Sequence, residues 1–244
     1  MRKEPFFVGD YVHVFNRGNR KMDIVRDNID RWRFLSILRY FNDQRPSLNI
    51  LRELINMRLL RFDLNSTEGN YRFDWPKNWP AQKPLVRIIS YALMPNHYHL
   101  LLQEITEGGI SIFMKKLGNG LTGYINIKYN EAGKIFQGSY KAKTVKNENY
   151  LQYLDAYIQV LNPFELLSPE FVIKSPRKAF LEVAANPFSS LGESLGLNNL
   201  QIVDRKSIER EIGLTGDREK YLKLINDIMA AGGLKKILGE LLFD

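Results

Sequence analysis

The chain has no cysteine in its 244 residues. That excludes a disulfide framework and a thiolate metal site, and it fits a reducing compartment. It also lacks any run of about 18 apolar residues and any signal-peptide pattern at its start. Neither membrane spanning nor secretion is expected, and the default expectation is a cytoplasmic protein with no membrane partner. Histidine is scarce, with three residues in the whole chain. Acidic residues are in the minority, 27 against 35 Lys and Arg, for a formal net charge of +8. There is no internal repeat and no low-complexity segment.

What is present is enough for a sizeable core, since 44% of residues are hydrophobic and 12% aromatic. The basic excess is clustered. Residues 115–146 hold seven lysines and one acid, Glu131, and the first 45 residues hold ten basic and six acidic side chains. A polyanion such as nucleic acid is the natural partner of such a surface.

Two of the three histidines, His97 and His99, stand two apart in Tyr91-Ala-Leu-Met-Pro-Asn-His-Tyr-His-Leu-Leu-Leu102. On a strand, residues i and i+2 share a face. Two adjacent imidazoles are the start of a divalent metal site. Spacing alone fits a hydrogen-bonded surface pair equally well.

The flanking chain reads as alternating elements. Residues 10–15 form a strand, broken by Asn16-Arg17-Gly18-Asn19-Arg20, where Gly18 permits positive φ and the side chains suit a phosphate. Asp27 or Asn28 caps a helix with Ile29, Trp32, Leu35, Leu38 and Phe41 at helical spacing, so Trp32 belongs to the core. Residues 45–83 read as an insertion, with a helix over 48–60 and a long loop over 63–82. Strands follow at 85–93 and 97–103, joined by a Met94-Pro95-Asn96 turn. A helix over 110–129 is weakened by Gly118, Gly120 and Gly123, which permit close approach of a partner or of the sheet. A strand over 135–145 puts Lys141 and Lys143 on one face, and Asn147 caps a helix over 148–161. The order βαββαβ defines an α+β fold, a ferredoxin-like antiparallel sheet with helices on one face. From about residue 164 the chain reads as a Pro-punctuated loop, then helices near 206–212, 217–231 and 234–242. The expected division is a domain at 1–165 carrying the 45–83 insertion and a C-terminal loop and helical extension at 166–244.

The helix over 148–161 carries Tyr150, Tyr153 and Tyr157 on one stripe. Amphipathic packing is the commoner reason for such a stripe. A free phenol, with a pKa near 10, is a poor nucleophile at neutral pH unless a metal or base activates it.

Met94-Pro-Asn-His-Tyr-His-Leu-Leu-Leu102, Phe15-Asn-Arg-Gly-Asn19, Tyr157-Ile-Gln-Val-Leu-Asn-Pro163 and Asn186-Pro-Phe-Ser-Ser-Leu191 together resemble the REP-associated tyrosine transposases, within the single-tyrosine HUH superfamily. The resemblance covers roughly residues 8–190. It implies that His97 and His99 bind Mg²⁺ or Mn²⁺ and that Tyr157 attacks a phosphorus of single-stranded DNA, leaving a 5′-phosphotyrosine and a free 3′-hydroxyl. It implies hairpin DNA with single-stranded flanks as the partner. The backbone would lie on Asn16, Arg17, Lys115, Lys116, Lys141 and Lys143, and the protein would be a monomer or homodimer.

One position departs from the family's pattern. The usual third ligand, Asn or Gln, comes four residues after the tyrosine, where this chain has Leu161. Asn162 comes one residue late, about 100° further round a regular helix. A π-bulge would restore Asn162 as a ligand. Otherwise two protein ligands remain, with Gln103 a weaker substitute. Two alternatives to the nicking enzyme stand beside it. One is a non-catalytic hairpin-DNA binding protein of the same fold. The other is a metal-dependent RNA phosphodiesterase that needs no tyrosine.

Overall fold

The computed structural model describes residues 5–45, 73–205 and 217–230, together with Ile50, Arg52 and Leu54. Strand β1 (Tyr11–Arg17) leads into α1 (Asn28–Tyr40), then β2 (Val86–Leu93) and β3 (His97–Glu104), α2 (Gly109–Tyr129) and β4 (Lys141–Thr144). The strands form one antiparallel sheet in the order β2-β3-β1-β4, the ferredoxin-like arrangement. Paired residues of an antiparallel sheet share a face. Register therefore puts His99 beside Phe15 and Lys141, and His97 beside Arg17. Tyr98, on the opposite face, meets Phe34 of α1 and Phe136.

Helices α1 and α2 cover that second face. Asp27 caps α1 in a capping box with Asp30. Asp30 also pins α2, accepting from Lys128, Tyr124 and Tyr129. Burial pushes the Asp30 carboxyl up, but Lys128 and the two hydroxyls hold it below its usual value. Trp32 is core, packed on Phe73 and Phe188.

The other face carries the helix of the tyrosines. It begins as α3 (Glu148–Ala156), capped by Asn147, widens into a π-helical turn (Tyr157–Leu161), and continues as Asn162–Phe164. Pro163 helps explain the widening. It has no N–H, so in an α-helix the carbonyl four residues back would go unpaired and would meet its ring. That carbonyl, of Gln159, accepts instead from the Ser189 hydroxyl at 2.6 Å. The Asn162 N–H reaches back five residues to Tyr157.

Several expectations are corrected. Strand β1 runs on through Asn16 and Arg17, because both continue to pair with β3 at Tyr98 and His97. Gly18 has φ −60°, and the positive φ falls on Arg20 and Lys21. Glycine is needed at 18 for space, since a Cβ would lie 1.9 Å from the Met22 carbonyl oxygen. The fourth strand is only Lys141–Thr144; the preceding segment touches β1 through a single Gly18–Phe136 bridge. The stretch after residue 164 is helical where a loop was expected. Pro169 and Pro176 open α4 (Pro169–Lys174) and α5 (Pro176–Ala185), since proline suits a helix's first turn. A short α6 (Leu191–Ser194) and α7 (Arg218–Ala230) follow. The expected helices near 206–212 and 234–242 lie outside the described residues. So does most of the 45–83 insertion; of its expected helix, Ile50, Arg52 and Leu54 are described and helical.

Candidate active site

The site forms where β3, β1 and the π turn meet. His97 and His99 project from β3 with ring centroids 5.2 Å apart and nearly perpendicular. The Tyr157 ring stands edge-on to His99, with centroids 5.6 Å apart. The π turn brings in Asn162, whose Nδ2 lies 3.4 Å from His97 Nε2 and 3.4 Å from Glu165 Oε1. One extra residue in the turn thus carries the amide past the position of Leu161, which is buried in the core.

Each imidazole is held from behind. His97 Nδ1 donates to Asn96 Oδ1 at 2.6 Å, and the Asn96 amide is itself oriented by donating to the Lys21 carbonyl. His99 Nδ1 meets His13 Nε2 of β1 at 2.9 Å. With both Nδ1 atoms engaged, the Nε2 atoms are the nitrogens left to ligate a metal. Burial lowers the pKa of His97 to about 4, with Arg17 adding to the effect, and lowers His99 well below its usual value. Burial, then Lys143, lowers His13 to about 3. All three are neutral at physiological pH, as a metal ligand must be.

The donor set fits a divalent cation. Asn162 Oδ1 is buried without a hydrogen-bond partner, and the Nδ2 of the same amide lies 3.4 Å from His97 Nε2. Turning the amide over would present its oxygen to the imidazole, giving an N,N,O set suited to Mg²⁺ or Mn²⁺ once water and substrate oxygens complete it. Among the described residues, no three His, Cys, Asp or Glu side chains come together as a metal cluster. A cation here would rest on His97, His99 and the Asn162 amide. Gln103 does not substitute, since it bonds to Arg87 and to the Gly9 carbonyl at the far end of β3.

Tyr157 is buried, and burial, with the Glu165 carboxylate adding to it, pushes its phenol well above the usual value. Tyr150 and Tyr153 stack on each other further back along the helix.

The sequence-expected DNA contacts separate into groups. Arg17, Lys141 and Lys143 lie on the histidine face by register. Arg17 Nε is buried without a hydrogen-bond partner. Lys141 and Lys143 are exposed. Asn16 is buried on the other face and holds the Gly138 carbonyl. Lys115 is exposed on α2, whereas Lys116 donates to the carbonyls of Asp43 and Arg45 and is committed to that turn. Sequence reasoning missed Asn96 and His13 as positioning residues. Asn96 was legible as the neighbour of His97. His13 was legible as the one polar inward residue of Tyr11-Val-His-Val-Phe15.

Two imidazoles of the sheet thus meet a tyrosine and an amide of the facing helix. Residues 80–160, which include His97, His99 and Tyr157, match the family described as Transposase IS200 like. Over that segment the chain is similar to the IS200-like transposases. A solved structure of a REP-associated tyrosine transposase bound to a REP hairpin aligns at 14% identity and a TM-score of 0.46, over 80% of this chain and 84% of that one. No curated protein sequence matches the chain. No helix among the described residues is long and apolar enough to cross a membrane.

Proposed function

We propose that the protein nicks and rejoins single-stranded DNA flanking a hairpin, through a covalent 5′-phosphotyrosine at Tyr157. The observation that carries this reading is the meeting of the Tyr157 ring with His99 beside the orphaned Asn162 oxygen. Mg²⁺ or Mn²⁺, when bound, would polarise the scissile phosphate. His97, His99 and Asn162 would hold it, with Asn96 and His13 fixing the imidazoles. Arg17 holds the phosphate through its guanidinium, and Lys141 and Lys143 carry the adjoining backbone. The Tyr157 oxygen attacks phosphorus as its proton passes to water. The bond to the 3′ oxygen breaks, that oxygen takes up a proton, and a tyrosyl phosphodiester remains. An incoming 3′-hydroxyl reverses the step and joins the strands, since the ester's energy is retained.

The test is a single-stranded oligonucleotide with a hairpin and unpaired flanks, incubated with Mn²⁺ and resolved on a denaturing gel. A protein–DNA adduct is expected from the wild type and none from Tyr157→Phe, which should still bind DNA. Loss of the adduct in Tyr153→Phe but not in Tyr157→Phe would reassign the nucleophile. The second reading, a DNA-binding protein that does not cleave, is favoured by the burial of the Tyr157 hydroxyl and its raised pKa. Binding without an adduct in both metals would establish it.

A further inference from the structure

Past its first residue, Gly109, helix α2 carries three interior glycines, each of which lowers helix stability by up to about 1 kcal/mol relative to alanine. One has a steric reason. A Cβ on Gly120 would lie 2.4 Å from the Phe41 ring. The other two have none, because a Cβ on Gly118 or Gly123 would meet no atom within 4 Å. Both line a groove of about 530 Å³ between α2 and the segment before β4. The wall opposite is held open by main-chain bonds from that segment to the end of β1, Gln137 N to Arg17 O and Asn19 N to Ile135 O. Asn16 adds its amide to the Gly138 carbonyl.

The groove's chemistry is mixed. Tyr140 and the edge of Phe136 supply aromatic surface, and the exposed ammonium groups of Lys115 and Lys134 stand at its rim. Its floor is Tyr98, the residue between His97 and His99 on the reverse of β3. Aromatic surface, positive rim charge and bare helix backbone suit one occupant, a flat base on an anionic backbone.

We propose that this groove takes an unpaired nucleobase of the DNA strand, with Gly118 and Gly123 making room for the base and Lys115 and Lys134 holding the flanking phosphates. The site is separate from the Tyr157 face but rests on the reading that DNA is the partner. A strand there lies around the sheet edge from Arg17.

The test uses a fluorescein-labelled single-stranded 20-mer containing all four bases and a matching abasic strand, with affinities from anisotropy. The wild type is expected to bind the base-containing strand at least fivefold more tightly. Gly118→Leu and Gly123→Leu place a side chain in the groove from positions where a Cβ meets nothing, so their melting temperatures should hold or rise. Each should lose that discrimination while binding the abasic strand as the wild type does. A strand carrying 5-iododeoxyuridine should photocrosslink to the peptide containing Tyr140. Undiminished discrimination in both leucine variants, or equal weakening on both strands, overturns the proposal. An adduct at Tyr157 without base discrimination refutes the groove and leaves the nicking reading standing. Discrimination without an adduct does the reverse.

Discussion

Asn162→Ala separates a structural amide from one held ready for a cation. The Asn162 Oδ1 is buried without a partner, and its Nδ2 makes long contacts, at 3.4 Å, to His97 and Glu165. An unsatisfied buried acceptor costs about 1–3 kcal/mol. Deleting the amide opens a void of roughly 30 Å³, worth about 0.7 kcal/mol at about 24 cal/mol per Å³. The metal-free variant should therefore be as stable as the wild type or more stable by up to about 2 kcal/mol, a rise of a few degrees at about 2–4 °C per kcal/mol. Mn²⁺ at a hundredfold over its Kd adds about 2.7 kcal/mol to the wild type, a further rise of roughly 5–10 °C. The variant should retain about half of that shift or less. Differential scanning calorimetry with and without Mn²⁺ measures both. A metal-free variant that melts about 2 kcal/mol lower would make the amide structural, and an undiminished Mn²⁺ shift would remove Asn162 from the cation site; either outcome refutes the reasoning.

His13→Phe keeps a ring in the β1 core but removes the partner of His99 Nδ1, and partners of that kind are worth about 10–100-fold in metal affinity. Titration calorimetry should show Mn²⁺ affinity reduced on that scale; equal affinity would mean that His99 needs no positioning. Glu193, buried and accepting from the Ile202 and Val203 N–H groups, has its pKa raised from 4.5 to about 7, chiefly by burial. The folded state therefore keeps a proton that the unfolded state releases, so stability falls as pH rises from 4.5 to 7, by about 3 kcal/mol at about 1.4 kcal/mol per pKa unit. Glu193→Gln should flatten the melting temperature against pH across that window, and an unchanged slope would refute the assignment.

The sheet was legible because its signals are local. Two apolar runs and the Met94-Pro95-Asn96 turn between them define the β2–β3 hairpin, and helical spacing of Leu35, Leu38 and Phe41 defines α1. The end of β1 was misread because Asn16 and Arg17 look like turn residues, and only pairing to Tyr98 and His97, some eighty positions away, keeps them in the strand. The helices after residue 164 are not legible in the sequence because proline is a breaker inside a helix but a starter at its first turn, where Pro169 and Pro176 stand. Within the site, the histidines and the tyrosine stripe were visible as spacings. The His13–His99 contact was not, because it joins residues 86 positions apart.

The position of Asn162 shows how distant parts of the chain fix one another. Pro163 deprives the Gln159 carbonyl of its helical donor, and Ser189 supplies a replacement. Ser189 is in place because its neighbours extend the outer edge of β2. Leu93 donates to the Phe188 carbonyl, Ser190 N–H donates to the Tyr91 carbonyl, and the Ser190 hydroxyl accepts from Tyr91 N–H. Asn186-Pro-Phe-Ser-Ser-Leu191 therefore fastens the tyrosine helix to the strand that pairs with the histidine strand. The Gln159 side chain adds a second tie, to Asp155 and to Tyr221 of α7. The segment beyond residue 165 thus helps hold the π turn open. Without that fastening, a regular α-helix would bring Leu161 towards the histidines and turn Asn162 away by about 100°.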